Sequence, residues 1–221
     1  MAHLQIRDIR ERFRESIKKA IELSPPRRFK QSVDLGGRRI IKKPKAQEAR
    51  IRETIVLPRG RGKDLDICLV ADGDMVIKAK ETGGFSRIIT SDELKTIDKK
   101  TAKKIAENCD WILVKIDLMS LAGRTLGPAV GPRGKILVPV PLNADLSSLL
   151  NRYKASVIAR TREQLQIALP IGTVTMDLGD LVENAEAVFS YIVSKLPSGF
   201  ENIDKVIVKT TQGVPVPVII G

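Results

Sequence analysis

Leu65-Asp-Ile-Cys-Leu-Val-Ala71 and Trp111-Ile-Leu-Val-Lys-Ile116 are the two runs whose reading decides the fold. Both are almost continuously apolar, the pattern of strands buried on both faces in a parallel sheet. The sequence between them alternates accordingly. Asp74–Thr82 reads as a short helix, Arg87–Thr90 as a short strand, and Asp92–Asn108 as one helix capped by Ser91 or Asp92. Strand-helix alternation of this kind specifies an α/β unit. Residues 123–141, rich in Gly, Pro and basic side chains, read as a turn-rich segment, and a short helix over 145–151 closes the unit.

Outside this unit the grammar differs. Ile6, Ile9, Phe13, Ile17, Ala20 and Ile21 recur at helical spacing, predicting an amphipathic helix over 4–22 that Ser24-Pro25-Pro26 ends. Residues 29–35 alternate like a strand, with Phe29, Gln31 and Val33 on one face and Lys30, Ser32 and Asp34 on the other. In that register Phe29 either packs in the core or lies against a ribose or base. A basic loop, Arg38 through Lys45, and a strand over 51–57 follow. Pro58-Arg-Gly-Arg-Gly-Lys63 holds only turn residues and cations, and reads as a linker whose Gly60 and Gly62 would serve as a hinge. After the α/β unit, 155–161 and 166–171 read as a strand pair, 178–196 as an amphipathic helix and 205–211 as a last strand.

Composition narrows the function. Thirty-eight Lys and Arg against 26 Asp and Glu give a net charge of +12 and a pI near 9.9, a field that attracts nucleic acid or an anionic surface. No run approaches the roughly 20 apolar residues of a spanning helix, and no membrane partner is expected. His3 is the only histidine. With no His/Cys cluster at ligand spacing, neither a metal nor any other cofactor is implied. Cys68 and Cys109 read as buried structural thiols, and a disulfide framework is not suggested. Gly127-Pro-Ala-Val-Gly-Pro-Arg-Gly-Lys135 fails as a phosphate loop. Ala129 replaces the first required glycine, Ile136 replaces the Mg²⁺-binding hydroxyl, and two prolines remove N–H donors. It reads as a basic turn, either touching an RNA backbone or merely exposed. No carboxylate pair is placed for acid–base work, so an enzyme is not expected.

Two stretches combine cations, an aromatic ring, hydroxyls and amides: Arg27-Arg-Phe-Lys-Gln-Ser-Val-Asp34, and Lys209-Thr-Thr-Gln-Gly-Val-Pro215. Hydroxyls and amides can bond 2′-hydroxyls and base edges, and Gly213 lets another backbone come close. Together with Thr-Ile-Val-Leu-Pro-Arg-Gly, Gly-Arg-Thr-Leu-Gly-Pro, Gly-Pro-Arg-Gly-Lys and Ile171-Gly-Thr173, in this order, they resemble large-subunit ribosomal protein one, the "L-one" family, and particularly its archaeal branch. The resemblance spans essentially the whole chain.

It implies a two-domain protein of α/β class. Residues 1–62 and 155–221 would form a discontinuous α+β RNA-binding domain, and 63–154 an inserted, Rossmann-like three-layer α/β domain. It further implies a structural constituent of the large ribosomal subunit, cytoplasmic and ribosome-associated. Such a protein binds a 23S rRNA stalk segment near the exit site, assists release of deacylated tRNA, represses its own mRNA, and is a monomer when free. Carried over by position, the RNA-binding residues are Arg28, Phe29, Ser32, Asp34, Gly172, Thr173, Thr210, Thr211, Gln212 and Gly213, with Arg160 and Arg162 on a nearby basic stretch. Bacterial members usually have Met-Gly-Pro where this chain has Gln212-Gly213-Val214, and this chain carries an extended loop, Pro128-Ala-Val-Gly131. The rival reading is an RNA-binding translational regulator that is not part of the ribosome.

Overall fold

The computed structural model describes residues 6–36, 51–161 and 166–219. In chain order the first elements are α1 (Ile6–Glu22), β1 (Ser32–Gly36), β2 (Arg52–Val56), β3 (Ile67–Val70), α2 (Asp74–Thr82) and β4 (Arg87–Ile89). Next come α3 (Ser91–Thr96), α4 (Lys99–Asn108), β5 (Trp111–Lys115), α5 (Met119–Thr125), α6 (Gly127–Val130), β6 (Leu137–Val140) and α7 (Leu146–Lys154). The chain ends with β7 (Ser156–Arg160), β8 (Ala168–Thr173), α8 (Leu178–Lys195), β9 (Val206–Thr210) and β10 (Val216–Val218). This is a mixed α/β protein. It divides into two compact units, the first made of Met1–Lys63 with Ala155–Gly221 and the second of Asp64–Lys154. The reading of Arg38–Lys45 as a basic loop, and the positions of His3 and Arg162, lie outside the described residues.

In the first unit an antiparallel sheet runs β10-β9-β1-β8, with β1 in its interior. Phe13, Ile17 and Ala20 of α1 are fully buried and meet Leu181, Val188 and Phe189 of α8 in one core with Val33, Leu35 and Val208. The Phe13 and Phe189 rings meet edge to face at 5.6 Å. Helix α1 is held locally by Arg12–Asp8 and Lys18–Glu22 pairs one turn apart. The positions of the sheet facing away from this core are exposed or half-buried: Ser32 and Asp34 on β1, Ile207 and Lys209 on β9, Pro170 on β8 and Pro217 on β10. Residues 155–161 and 166–171 do not pair with each other. Instead β7 pairs with β2 in a separate two-stranded sheet, and β8 pairs with β1.

The segment expected to act as linker and hinge is fastened to the first unit. The Asn184 side chain is fully buried and donates to Gly60 O and Ile171 O, both at 2.8 Å, while accepting from Arg59 N at 3.0 Å. Arg59 also pairs with Glu183 at 2.6 Å. Gly62 sits at φ 64° with no room for a Cβ, which would lie 2.5 Å from Met176 Sδ. Glycine here serves a tight, packed turn rather than a swivel.

In the second unit a parallel sheet runs β4-β3-β5-β6. All four residues of β3 and the first four of β5 are buried, as runs covered on both faces require. Four readings are corrected here. Residues 92–108 form two helices, because Ile97 is extended and Asp98 caps α4 by accepting from Thr101 N at 2.8 Å. The cap of α3 is Thr90, not Ser91 or Asp92. The Gly/Pro-rich segment is not an extended loop: α5, α6 and Leu126 between them bury Ala122, Leu126, Ala129 and Val130 in the core, and only the turn at 131–133 is exposed throughout. At the surface Arg133 pairs with the exposed Glu107, while Lys135 donates to Cys109 O at 2.8 Å. Finally, Cys68 and Cys109 form a disulfide, their Cα atoms 5.7 Å apart across the start of β3 and the residue after α4.

Candidate nucleic-acid interface

The register of the first unit's sheet gathers the two polar stretches at one end. Ser32 opens β1 opposite Thr173, the last residue of β8, while Val33 faces Thr210, the last residue of β9. Beyond this end the strands stay joined through side chains. Thr211 Oγ1 accepts from Ser32 N at 3.0 Å and shares a hydrogen bond with Ser32 Oγ at 3.1 Å, and Thr211 N donates to Ser32 O. Gln31 clamps three segments. Its amide donates to Pro25 O at 2.7 Å, its carbonyl oxygen accepts from Gln212 N at 3.0 Å, and its backbone O accepts from Val174 N.

The candidate residues fall into two tiers. Arg28, Phe29, Thr211 and Gln212 are exposed, and Ser32 and Asp34 are half-buried. Phe29 lies in a bend before β1 rather than on it, and the residue is 52% exposed, so it does not pack in the core. Beneath them Thr210 is fully buried and donates to Ser24 Oγ at 2.9 Å. Thr173 is also buried and bonds to Thr175 Oγ1 at 3.0 Å. Gly172 is covered by Leu181 and Met176. Gly213 leaves room for an internal neighbour, since a Cβ there would fall 2.2 Å from Thr210 Oγ1. Arg160 stands apart from this cluster. It is exposed at the end of β7, directly opposite Arg52 in the two-stranded sheet.

Electrostatics single out Asp34. Burial pushes its carboxyl above the ordinary value of 3.8, against the pull of a hydrogen bond from Ser32 and the charges of Lys209 and Arg61. Lys209 is its cross-strand partner. Sequence reasoning missed the supporting members Ser24, Pro25 and Gln31. Ser24 and Pro25 registered only as a helix stop, and Gln31 only as one residue of an alternating strand. The signal that was available is that a polar Gln on the same face as Val33 must find partners when buried.

The charge is unevenly divided. Between Asp64 and Lys154 there are 14 Lys and Arg against 12 Asp and Glu, a net of +2, so +10 of the chain's +12 belongs to the other unit. Fold and charge together define a two-unit α/β protein that presents a braced polar sheet end on a strongly basic unit, the arrangement expected of a polyanion-binding protein.

Comparison with known proteins makes the class specific. Residues 17–214 match the ribosomal protein L1p/L10e family. The large ribosomal subunit protein uL1 of Staphylothermus marinus is 53% identical over 209 residues, covering 95% of this chain and 97% of the relative. That of Hyperthermus butylicus is 46% identical over 211 residues, covering 95% and 96%. The uL1 protein of Methanococcus maripaludis is 38% identical over 210 residues, covering 94% and 98%. The chain belongs to the ribosomal protein L1p/L10e family. It is accordingly a ribosomal protein, cytoplasmic and ribosome-associated, of a family whose members are structural rather than enzymatic and bind rRNA.

Proposed function

We propose that this chain is a constituent of the large ribosomal subunit that grips a folded 23S rRNA segment with the sheet end of its first unit, residues 1–62 and 155–221. The inserted unit, 63–154, is carried by it. The observation that supports this reading is the Ser32–Thr211 join. It holds two exposed polar stretches, distant in sequence, in one fixed arrangement on the unit that carries most of the positive charge. Lysines and arginines neutralise phosphates and set a salt-dependent affinity. Phe29 offers a ring for stacking, and Ser32, Thr211 and Gln212 offer donors and acceptors for 2′-hydroxyls and base edges. Asp34 accepts from a 2′-hydroxyl beside Lys209. In this reading Thr210, Gly172, Thr173 and Gly213 act from below, as positioning residues, while Arg28 and Arg160 contribute charge.

The finer role follows the same reading. The bound segment is the mobile stalk near the exit site, where the protein assists release of deacylated tRNA. The free monomer represses translation by binding a similar element in its own mRNA. Co-sedimentation of purified protein with large subunits stripped of it tests the central part. Stoichiometric binding that a stalk-segment RNA competes away is the expected result. Failure to co-sediment, combined with repression of a reporter mRNA, would leave a regulator outside the ribosome.

A further inference from the structure

Helix α4 carries Lys99, Lys100, Lys103 and Lys104, all exposed, while Ala102, Ile105 and Ala106 face the core of the second unit. At 100° per residue the four lysines fall on one stripe of the outer face, with Lys99 one turn below Lys103 and Lys100 one turn below Lys104. Glu107 continues the stripe but is engaged by Arg133. Among the described residues none of the four has an ion-pair partner, in contrast to Lys18 with Glu22 on α1 and Lys95 with Asp92 on α3.

The arrangement works against the helix. Both one-turn pairs are like-charged, which disfavours the helix that bears them. Lys99 and Lys100 also occupy the first turn, at the positive end of the helix dipole, where the Asp98 cap is followed by no acidic residue within the turn. Helices α1, α2 and α8 all place an aspartate in that turn. Nor is the stripe a share of general positivity, because the unit's net charge is only +2. An anion bound along the stripe would relieve the repulsion between the paired lysines.

We propose that this stripe is an RNA-backbone contact of the second unit, a phosphate-binding surface separate from the sheet end of the first. The choice of RNA as the polyanion rests on the function proposed above. The backbone could belong to rRNA or to tRNA, and one experiment separates them. Full-length protein and a variant carrying Lys99→Gln, Lys100→Gln, Lys103→Gln and Lys104→Gln are titrated over a salt series against the rRNA stalk segment and, separately, against deacylated tRNA. Glutamine keeps helix propensity, and circular dichroism checks that the helix persists.

The expected result is at least tenfold weaker binding at low salt, and a slope of log K against log salt lowered by about 2–3, for whichever RNA supplies the contact. The same four positions changed to Arg should retain parental slope and affinity. Parental slope and affinity for both RNAs in the Gln variant would overturn the proposal, as would equal losses in the Gln and Arg variants. Thr211→Ala in the same titrations keeps the two readings apart. If it binds normally while the Gln variant does not, the sheet end fails and the stripe stands. If the parent protein binds neither RNA, both fall.

Discussion

Among the described residues, one face of the first unit's antiparallel sheet is half-buried or exposed, and its central strands end in hydroxyls and amides. The second wraps a parallel sheet on both sides and closes its core with a disulfide. The first holds +10 of net charge and the second +2. The difference teaches how binding capacity is distributed in this chain. An antiparallel sheet packed on one face keeps polar positions and strand ends on which to build recognition, whereas a parallel sheet covered by helices spends its faces on its own core. In the second unit the exposed lysines gather most densely on the outer surface of α4, in one stripe.

Four interventions would break or sharpen this contrast. The largest effect is expected from the disulfide. Closing a loop across a separation of 41 residues stabilises by about 4 kcal/mol in the chain-entropy picture. Reduction, or Cys68→Ala with Cys109→Ala, should therefore lower the unfolding midpoint of the second unit and leave the first unit's hydrogen-exchange protection intact. Loss of protection in both units alike would mean that they do not fold as separate cores.

Next is Asn184→Leu, which leaves Gly60 O, Ile171 O and Arg59 N without their buried partner. Roughly 3 kcal/mol of stability should be lost from the first unit in denaturant titration. An unchanged midpoint would show that residues 58–62 are not fastened as described.

Thr211→Ala should weaken binding to the stalk RNA by about 1–3 kcal/mol with little change in melting temperature. Unchanged affinity would remove Thr211 from the interface.

The smallest effect concerns Asp34. Its folded-state pKa is raised by burial, so the fold favours the neutral carboxyl. Its stabilising contribution is fully present below the unfolded value near 3.8 and is lost as pH rises through the higher folded value. Asp34→Asn should therefore raise the melting temperature slightly at pH 7 and confer no gain near pH 3.5. A gain of the same size at both pH values would contradict the assigned cause.

Much of this was legible in the residues. The runs at 65–71 and 111–116 announced buried parallel strands, and α1 and α8 announced amphipathic helices. What escaped has identifiable causes. Strands β6 and β10 each centre on a proline, Pro139 and Pro217, which reads as a strand breaker; both lie at sheet edges, where a missing N–H is tolerated. In α5 and α6, Ala122, Leu126, Ala129 and Val130 recur at helical spacing, but surrounding glycines and prolines hid the period, and Pro128 sits at the start of a helix, where it is acceptable. The disulfide depends on β3 lying beside the start of β5, which no local pattern of the two cysteines encodes. At the site, residue type identified the cluster but could not rank it. Thr210 and Thr211 are adjacent and chemically identical, yet one is buried beneath the surface and the other forms it. Only strand register makes that distinction.

The most direct test of the central claim is filter retention of the 23S stalk segment by the full-length protein at two salt concentrations, with an unrelated structured RNA as competitor. The expected result is tight binding that weakens with salt but still discriminates against the competitor at the higher concentration. Equal retention of both RNAs at low salt, lost equally at high salt, would reduce the protein to a basic surface without recognition and contradict the account.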